Sequence, residues 1–284
     1  MHQAELYRQE KGNIRCLACS HKCLISEGKT GICRVRKNIK NKLYLLVYGK
    51  VASMNVDPIE KKPLYHFLPG TKAFSIGTVG CNFKCDFCQN FDISQAIEIF
   101  GQEISSEQIV DRAIKTGCKS VAYTYNEPAI FIEFVKDTAE LAKKHGLKNI
   151  LVTNGYLSKE CFEYISEYID AMNIDLKSFS EDFYRIYCKA KLQPVLETIQ
   201  RAHKKGIHIE LTTLIIPGLN DRTLELEKTA KFIASIDKNI PWHISRFFPM
   251  YKMQDKPATP IETLEQAYKI GKKAGLKFVH IGNV

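Results

Sequence analysis

The segment Phe74–Asn90 reads FSIGTVGCNFKCDFCQN and decides the fold class. Its first part is a short apolar run typical of a buried strand, and its second part carries Cys81, Cys85 and Cys88 on one tight loop. Three thiolates at C-x3-C-x2-C spacing can each bind one iron of a 4Fe-4S cluster. The fourth iron then has no protein ligand and is open to a chelating molecule. A structural zinc site is the alternative, but zinc usually takes four protein ligands.

From about residue 73 onward, short apolar runs alternate with longer helical patterns, which is typical of βα units around a parallel sheet. The predicted strands are Phe74–Val79, Ser120–Tyr125, Asn149–Thr153, Ala171–Leu176, His208–Ile215 and Trp242–Phe247. The predicted helices span 104–116, 129–145, 158–168, 190–205, 222–238 and 260–274. These repeats favour an α/β fold that forms a partial (β/α)6 TIM-like barrel. A doubly wound sheet is the alternative, but its phosphate-binding G-x-G-x-x-G is absent after the first strand.

The first seventy or so residues differ from the rest and contain a second set of cysteines. We predict a small N-terminal cysteine-cluster module over residues 1–70 and a core domain over residues 71–284. The second set is Cys16, Cys19, Cys23 and Cys33. Four thiolates are enough for a closed zinc site or for a second iron–sulfur cluster. Zinc is the favoured interpretation, with His21 as a substitute ligand.

Composition and charge narrow the location and the partners. The polar start MHQAELYRQEKG has no apolar stretch behind it, and nowhere do about 18 apolar residues run together. We therefore expect neither a signal peptide nor a membrane span, and a cytoplasmic location. The formal charge of +10 could attract an acidic partner, although scattered lysines usually belong to solvated helix ends. Nucleic acid is disfavoured because basic and aromatic residues form no common stripe.

The cysteine loop resembles the signature of the radical S-adenosylmethionine (SAM) superfamily, whose usual fold is a partial six-unit βα barrel. The longer string DPIEKKPLYHFLPGTKAFSIGTVGCNFKCDFCQN, together with CLACSHKC and GICRVRKN, resembles the AmmeMemoRadiSam-system radical enzymes. These enzymes are often described as similar to pyruvate formate-lyase activating enzymes. The resemblance implies that Cys81, Cys85 and Cys88 hold a 4Fe-4S cluster and that SAM is the second cofactor.

Residues near the loop and after the second strand are candidates for binding that cofactor. Phe87, beside the last cysteine of the loop, is placed to cover an adenine ring. Asn126 and Glu127 follow the second predicted strand, where superfamily members often carry Gly-Gly-Glu. The resemblance implies that Glu127 meets the amino group of the bound methionine. A turn before Pro128 is the alternative explanation.

The next two strand ends supply further candidates. Thr153 and Asn154 could hydrogen-bond a ribose, although such residues are also common in turns. Asp175 and Lys177 alternate in phase along the fourth strand, so both project to the same side of the sheet. Two opposite charges directed into a barrel require partners, because burying a lone charge is costly. A plain internal salt bridge is the alternative to cofactor binding.

The last two strands carry weaker candidates. By resemblance, Ile215 and Pro217 pack on the adenine, although core packing explains them nearly as well. His243 and Ser245 share one face of the sixth predicted strand. For these two residues, contact with substrate or cofactor and a purely structural role are equally open.

The resemblance implies an enzyme that cleaves SAM reductively to a 5′-deoxyadenosyl radical. This radical would abstract hydrogen from a peptide, protein or small-molecule substrate, with flavodoxin or ferredoxin as reductant. The name of the system implies Memo-like and AMMECR-like partner proteins. Activation of a glycyl-radical enzyme is one alternative. A non-catalytic iron–sulfur electron carrier or a zinc-binding interaction protein is the alternative from another class, although carriers ligate every iron with protein.

Overall fold

The computed structural model describes residues 1–284, and its sixteen strands and eight α-helices are numbered in chain order. The strands are β1 (His2–Gln3), β2 (Tyr7–Glu10), β3 (Asn13–Cys16), β4 (Leu24–Ile25), β5 (Arg36–Ile39), β6 (Lys42–Leu45), β7 (Lys50–Val51), β8 (Ser53–Pro58), β9 (Lys72–Gly77), β10 (Gln102–Glu103), β11 (Ser120–Tyr123), β12 (Lys148–Thr153), β13 (Ala171–Asp175), β14 (His208–Ile215), β15 (Trp242–Arg246) and β16 (Val279–Gly282). The α-helices are α1 (Phe91–Ser94), α2 (Ser106–Lys115), α3 (Ile132–Lys144), α4 (Lys159–Ile165), α5 (Glu181–Phe183), α6 (Gln193–Lys204), α7 (Thr223–Ile236) and α8 (Ile261–Lys273). Short 3-10 helices occur at Ile59–Lys61 and Pro128–Phe131, and Tyr184–Cys188 is a π-helical segment.

Eight strands form the main sheet, in the order β16-β15-β14-β13-β12-β11-β9-β8. All neighbours in this sheet are parallel except β8, which runs antiparallel to β9 at one edge. The two edge strands, β8 and β16, do not pair with each other, so the barrel is open. The six predicted strands correspond to β9 and to β11 through β15. The prediction of an α/β fold with a partial barrel is therefore confirmed.

The main sheet is larger than the sequence predicted. Strand β16 adds a seventh parallel strand beside β15, although its run is short. Strand β8 lies within residues 1–70, yet it pairs with β9 along its whole length. Because β8 is an edge strand with mostly half-exposed residues, it lacks the apolar alternation of a buried strand. The division of the chain between residues 70 and 71 stays a prediction.

Two three-stranded sheets, β1-β6-β5 and β2-β3-β4, make up most of the remaining N-terminal structure. A buried ion pair joins this part to the barrel: Arg36 on β5 donates from Nη1 to Oε1 of Glu133 on α3 at 3.0 Å. Both side chains are almost completely inaccessible to solvent, at 1% and 0% exposed. Arg36 also donates from Nε to the carbonyl oxygen of Ile130 at 2.9 Å. Since a buried charge without its partner is costly, this pair ties the two parts together.

None of the helices combines the length and the apolar character that crossing a membrane requires.

Candidate functional site

A cavity of about 330 Å³ lies at the C-terminal ends of the main-sheet strands. This is the end at which parallel barrels place their chemistry. Its volume falls within the range of about 300–1,000 Å³ that is usual for small-molecule sites. The predicted site residues that line it are Cys81, Cys85, Phe87, Cys88, Asn126, Glu127, Thr153, Asn154, Asp175 and Lys177. The structure thus brings most of the candidates to one place.

The cysteine loop, defined here as Gly80–Asn90, is held at its start and in its middle by backbone contacts. Gly80 has a φ of +90°, and a Cβ atom there would lie only 2.7 Å from the carbonyl oxygen of Cys33. Glycine is therefore required for the loop to approach the N-terminal part of the chain. Further along, the amides of Lys84 and Asp86 donate to the carbonyl oxygens of Cys188 (3.0 Å) and Tyr187 (3.1 Å) in the π-helical segment.

The three loop cysteines, Cys81, Cys85 and Cys88, have different surroundings. Burial raises the pKa of the Cys81 thiol well above its ordinary value. A hydrogen bond with Cys188, together with burial, does the same for the pKa of Cys85. Cys88 is only partly buried, and its sulfur lies 3.1 Å from Oγ of Ser94. Because iron ligands are thiolates, binding a cluster would release protons from these groups.

The donor set fits a 4Fe-4S cluster. Three sulfurs face a cavity that no fourth protein thiol lines, which suits a cluster with one open iron. Lys84 supplies an independent observation: its Nζ is buried without a hydrogen-bond partner, close to the thiols of Cys81, Cys85 and Cys33. A buried ammonium needs negative charge nearby. Iron-bound thiolates would provide that charge.

Glu127, the residue after β11 that was predicted to meet the methionine, is completely buried. Its Oε1 accepts from the amide of Ala129 (3.0 Å) and from Oγ1 of Thr153 (2.8 Å), and its Oε2 accepts from the amide of Asn154 (2.8 Å). Burial raises the pKa of Glu127 to about 7, despite these donors. A carboxylate has about four acceptor positions. One position is therefore left for a donor in the cavity, as a cofactor ammonium would require.

Asn126 braces the loop. Its Nδ2 donates to the carbonyl oxygen of Gly80 at 2.9 Å and to Oγ1 of Thr78 at 3.0 Å. Elsewhere in the cavity lining, Asn90 donates from Nδ2 to the carbonyl oxygen of Tyr125 at 2.7 Å. Asn90 and Tyr125 both line the cavity, although neither is among the predicted site residues. Nothing in their spacing marks them, since their contacts join loops that are distant along the chain.

Asp175 and Lys177 form an ion pair at the cavity wall, with 2.8 Å between Lys177 Nζ and Asp175 Oδ2. Burial opposes the charge on Lys177, but the Asp175 carboxylate and the neighbouring thiols outweigh it. The pKa of Lys177 accordingly lies well above its ordinary value. Lys177 Nζ also lies 5.9 Å from the centre of the Phe87 ring. The pair thus exists as an internal salt bridge and at the same time presents both charges to the cavity.

Ile215, Pro217 and His243 do not line this cavity. Ile215 is completely buried in the core. His243 lies near the start of β15, and its buried side chain contacts Glu210 on β14 instead. Ser245, two residues further along the same face, does line the cavity. The difference between the two arises from their depth along the strand, which the alternation of faces does not reveal.

Glu210 on β14 is completely buried and accounts for the position of His243. Its Oε2 lies 2.6 Å from Nε2 of His243, and its Oε1 lies 3.0 Å from Nε2 of His208. The amides of Tyr65 and His66 donate to the same carboxylate at 3.0 and 2.8 Å. Burial raises the pKa of Glu210, but these four partners outweigh it and lower the pKa to about 2. Because the protein itself satisfies this buried carboxylate, a structural role suits it.

An open parallel barrel with three cysteines on the loop after its first parallel strand defines the radical SAM class of proteins. Comparison with known proteins agrees with this class. The Radical SAM superfamily matches residues 75–233, which is more than half of the chain, and the chain belongs to this superfamily.

Individual relatives differ in what they are named for. Uncharacterized protein MJ0808 of Methanocaldococcus jannaschii is 46% identical over 100% of this chain and 86% of its own length. A putative glycyl-radical enzyme activating enzyme of the same organism, MJ1632, is 27% identical over 60% of this chain and 65% of its own length. A GTP 3′,8-cyclase of Psychromonas ingrahamii is 27% identical over 63% of this chain and 53% of its own length.

Two solved structures show the same fold. A domain of pyruvate-formate lyase-activating enzyme from Bacteroides vulgatus matches with a TM-score of 0.51 and 22% identity, covering 58% of this chain and 99% of that domain. QueE from Escherichia coli matches with a TM-score of 0.52 and 14% identity, covering 82% of this chain and 93% of its own. At these identities, the likeness concerns the fold alone.

Proposed function

We propose that this protein is a radical SAM enzyme that holds a 4Fe-4S cluster on Cys81, Cys85 and Cys88 and binds SAM in the adjacent cavity. The observation that carries the proposal is the pairing of these three thiols with a cavity of about 330 Å³ that contains further charged and polar groups. When bound, the cluster supplies the electron that cleaves a carbon–sulfur bond of SAM to give methionine and a 5′-deoxyadenosyl radical.

In this proposal, different residues of the cavity bind different parts of SAM. Glu127 offers a free acceptor position to the amino group of the methionine part. Lys177 offers its ammonium to the carboxylate, and Asp175 holds that ammonium in place at 2.8 Å. Phe87 is almost fully buried in the cavity wall and offers an apolar surface to the adenine. Glu127 accepts from the hydroxyl of Thr153 and from the backbone amide of Asn154, and these two residues bring polar groups to the ribose.

A second contribution of the chain is to exclude water from the site. Cys81 and Cys85 are buried, and Phe83 and Phe87 shield the same wall. A carbon radical abstracts hydrogen from any suitable donor that it meets, so buried walls limit the donors within its reach. Asn90 and Lys62 also line the cavity, and Lys62 Nζ lies 2.7 Å from Oδ2 of Asp57.

The substrate in this proposal is a peptide, a protein or a small molecule, and a low-potential reductant such as flavodoxin or ferredoxin delivers the electron. The motifs CLACSHKC and GICRVRKN support placing the chain in the AmmeMemoRadiSam system, with Memo-like and AMMECR-like proteins as partners. The formal charge of +10 favours an acidic protein among the partners.

Activation of a glycyl-radical enzyme is the second candidate. It is supported by the names of several relatives, including the pyruvate formate-lyase-activating enzyme of Clostridium pasteurianum, which is 22% identical over 67% of this chain. Relatives named as GTP cyclases argue that the cofactor site, rather than the substrate, is what these proteins have in common. An electron carrier is disfavoured because the three loop thiols leave one iron of a cubane without a protein ligand.

Anaerobic reconstitution with iron and sulfide, followed by dithionite and SAM, tests the proposal. We expect 5′-deoxyadenosine from the wild-type protein and only background amounts from Cys85→Ala. A cluster-replete wild-type protein that forms no 5′-deoxyadenosine would contradict the enzyme proposal. Adding a candidate glycyl-radical enzyme and recording its electron paramagnetic resonance spectrum separates the two candidates, because only an activase produces a glycyl radical.

A further inference from the structure

We propose that Cys16, Cys19, Cys23 and Cys33 bind one zinc ion in a closed site that supports the start of the cysteine loop. This inference does not depend on the proposed reaction. It rests on an enclosed space of the right size, on a buried amide with no acceptor, and on positive charge around the four thiols.

The four cysteines share one small enclosed cavity. All of them line a space of about 10 Å³, together with His21, Arg36 and Asn82. A space of this size holds about one water-sized sphere. It therefore suits a single ion better than the larger iron–sulfur cubane. Four thiolates around one ion are the usual ligand set of a structural zinc site.

Asn82 gives an independent indication of a thiolate. Its side chain is 1% exposed, and its Nδ2 is buried without a hydrogen-bond partner. This amide lines the small cavity and lies next to the sulfur of Cys19. An unsatisfied buried donor costs about 1–3 kcal/mol. A metal-bound thiolate at Cys19 would remove this cost, because it accepts hydrogen bonds and has no proton of its own.

The surrounding charge is consistent with an anionic centre. Zinc with four thiolates carries a net charge of −2, which is costly to bury unless cations lie nearby. Arg36 lines the cavity beside Cys16 and Cys33. Its charge is shared with Glu133, so it compensates only part of the centre. The unpartnered ammonium of Lys84, close to Cys33, supplies a further positive charge.

The same residues connect the proposed zinc site to the cysteine loop. His21 Nε2 lies 2.9 Å from the carbonyl oxygen of Asn82, which directly follows Cys81. Asn82 Oδ1 in turn accepts from Nδ2 of Asn154 at 2.8 Å. Cys33 contacts the loop through its carbonyl oxygen, which occupies the space beside Gly80. A zinc ion that fixes Cys19 and Cys33 would therefore also fix the base of the loop.

Metal analysis of the full-length protein by mass spectrometry tests the proposal. We expect about one zinc per chain in the wild type and in a Cys81→Ser/Cys85→Ser/Cys88→Ser variant, which removes the loop thiols. Cys16→Ser/Cys33→Ser should lose at least about 90% of this zinc, since serine is a poor zinc ligand. Cys118→Ser is the matched control, because Cys118 is buried elsewhere in the core, and it should retain the metal.

A second pair of variants decides the case if the double variant does not fold. Cys23 is the least buried of the four. Cys23→His should keep zinc, because imidazole is also a zinc ligand, whereas Cys23→Ala should bind it more weakly by at least about tenfold. A wild-type protein without zinc, zinc that survives Cys16→Ser/Cys33→Ser, equal zinc affinity of the two Cys23 variants, or iron on this set would each overturn the proposal.

Discussion

The two cysteine sets of this chain use the same side chain in contrasting surroundings. The N-terminal set, Cys16, Cys19, Cys23 and Cys33, encloses a space of about 10 Å³. The loop set, Cys81, Cys85 and Cys88, borders a cavity of about 330 Å³. The set with four thiols therefore has little free space beside it, and the set with three thiols has a large cavity. Four thiols around a small space suit a structural metal ion with no open coordination position. Three thiols beside a large polar cavity suit a cluster whose fourth iron can bind a ligand.

The largest expected effect comes from substituting a cysteine of the loop set, which should remove iron but not zinc. Cys85→Ala should remove most of the bound iron and abolish 5′-deoxyadenosine formation, because a cubane held by two thiolates is not retained. The zinc content should stay unchanged, since Cys85 does not line the small cavity. Iron and zinc are measured on the same sample by mass spectrometry.

Cys188→Ala is the control for that experiment. The Cys188 thiol is buried beside Cys85 but does not line the large cavity. This variant should keep its iron. If it lost iron to the same extent as Cys85→Ala, the division between three loop thiols and an open iron would be wrong.

Glu210 and its four hydrogen-bond partners offer a contrast to both cysteine sets, because the protein alone satisfies this buried carboxylate. The lowering of the Glu210 pKa from 4.5 to about 2 corresponds to about 3 kcal/mol of unfolding free energy. This stability is present above about pH 4.5 and is lost as the pH falls towards 2. Glu210→Gln should therefore be about 3 kcal/mol less stable than the wild type at pH 7 and nearly equal to it near pH 2.

Urea unfolding followed by circular dichroism at both pH values checks this expectation. Glu163→Gln is the matched control, because Glu163 is exposed and its ion pair with Lys159 spans 3.8 Å. Its effect should stay below about 0.5 kcal/mol. A pH-independent loss of stability in Glu210→Gln would show that the charge of Glu210 does not matter.

Asp175→Asn tests the proposed SAM-binding cavity and leaves the three loop thiols unchanged. Asn keeps the shape of the side chain but removes the charge that holds the ammonium of Lys177 at 2.8 Å. A hydrogen bond to a charged group contributes about 1.5–3 kcal/mol, so SAM binding should weaken by roughly 10- to 100-fold. Equilibrium binding of SAM to the reconstituted protein measures the change.

Asp182→Asn provides the comparison for Asp175. Asp182 forms an exposed ion pair with Arg185 at 2.9 Å, away from the cavity. Exposed pairs contribute little, so SAM binding should not change. Equal effects of the two variants would remove Asp175 from the proposed binding site.

The last comparison concerns the contact between the two cysteine sets, and its expected effect is the difference between two glycine variants. Gly80→Ala would place a Cβ atom 2.7 Å from the Cys33 carbonyl oxygen, at a φ of +90°. Gly70 has a similar φ of +76°, but a Cβ atom there meets nothing within 4 Å. In both variants the left-handed conformation should lower the free energy of unfolding by about 1–2 kcal/mol. In Gly80→Ala alone, the overlap should lower it by about 1–3 kcal/mol more.

Urea unfolding of both glycine variants measures this difference. If Gly80→Ala and Gly70→Ala lost the same stability, the loop would not be packed tightly on the N-terminal part of the chain. A larger loss in Gly80→Ala, together with reduced zinc content, would support a shared platform for the two cysteine sets.

Much of the fold was predictable because its signals are local. Strand β12 is largely an apolar run, and the ends of β12 and β14 lie within a residue of the prediction. Helix α2 begins at a capping box in which Ser105 and Gln108 bind each other's backbone. Strands β8 and β16 were missed, because a short or half-exposed edge strand has no clear apolar period.

The sequence by itself determined the cysteine spacing, the succession of βα units and the superfamily, because each depends on residues close together in the chain. Only the tertiary structure decided that Ser245 reaches the cavity while His243 binds Glu210, since depth along a strand follows from sheet register. The unpartnered side chains of Asn82 and Lys84 between the two cysteine sets also emerged only from the fold. Their surroundings combine segments some fifty or more residues apart, and no local pattern records such contacts.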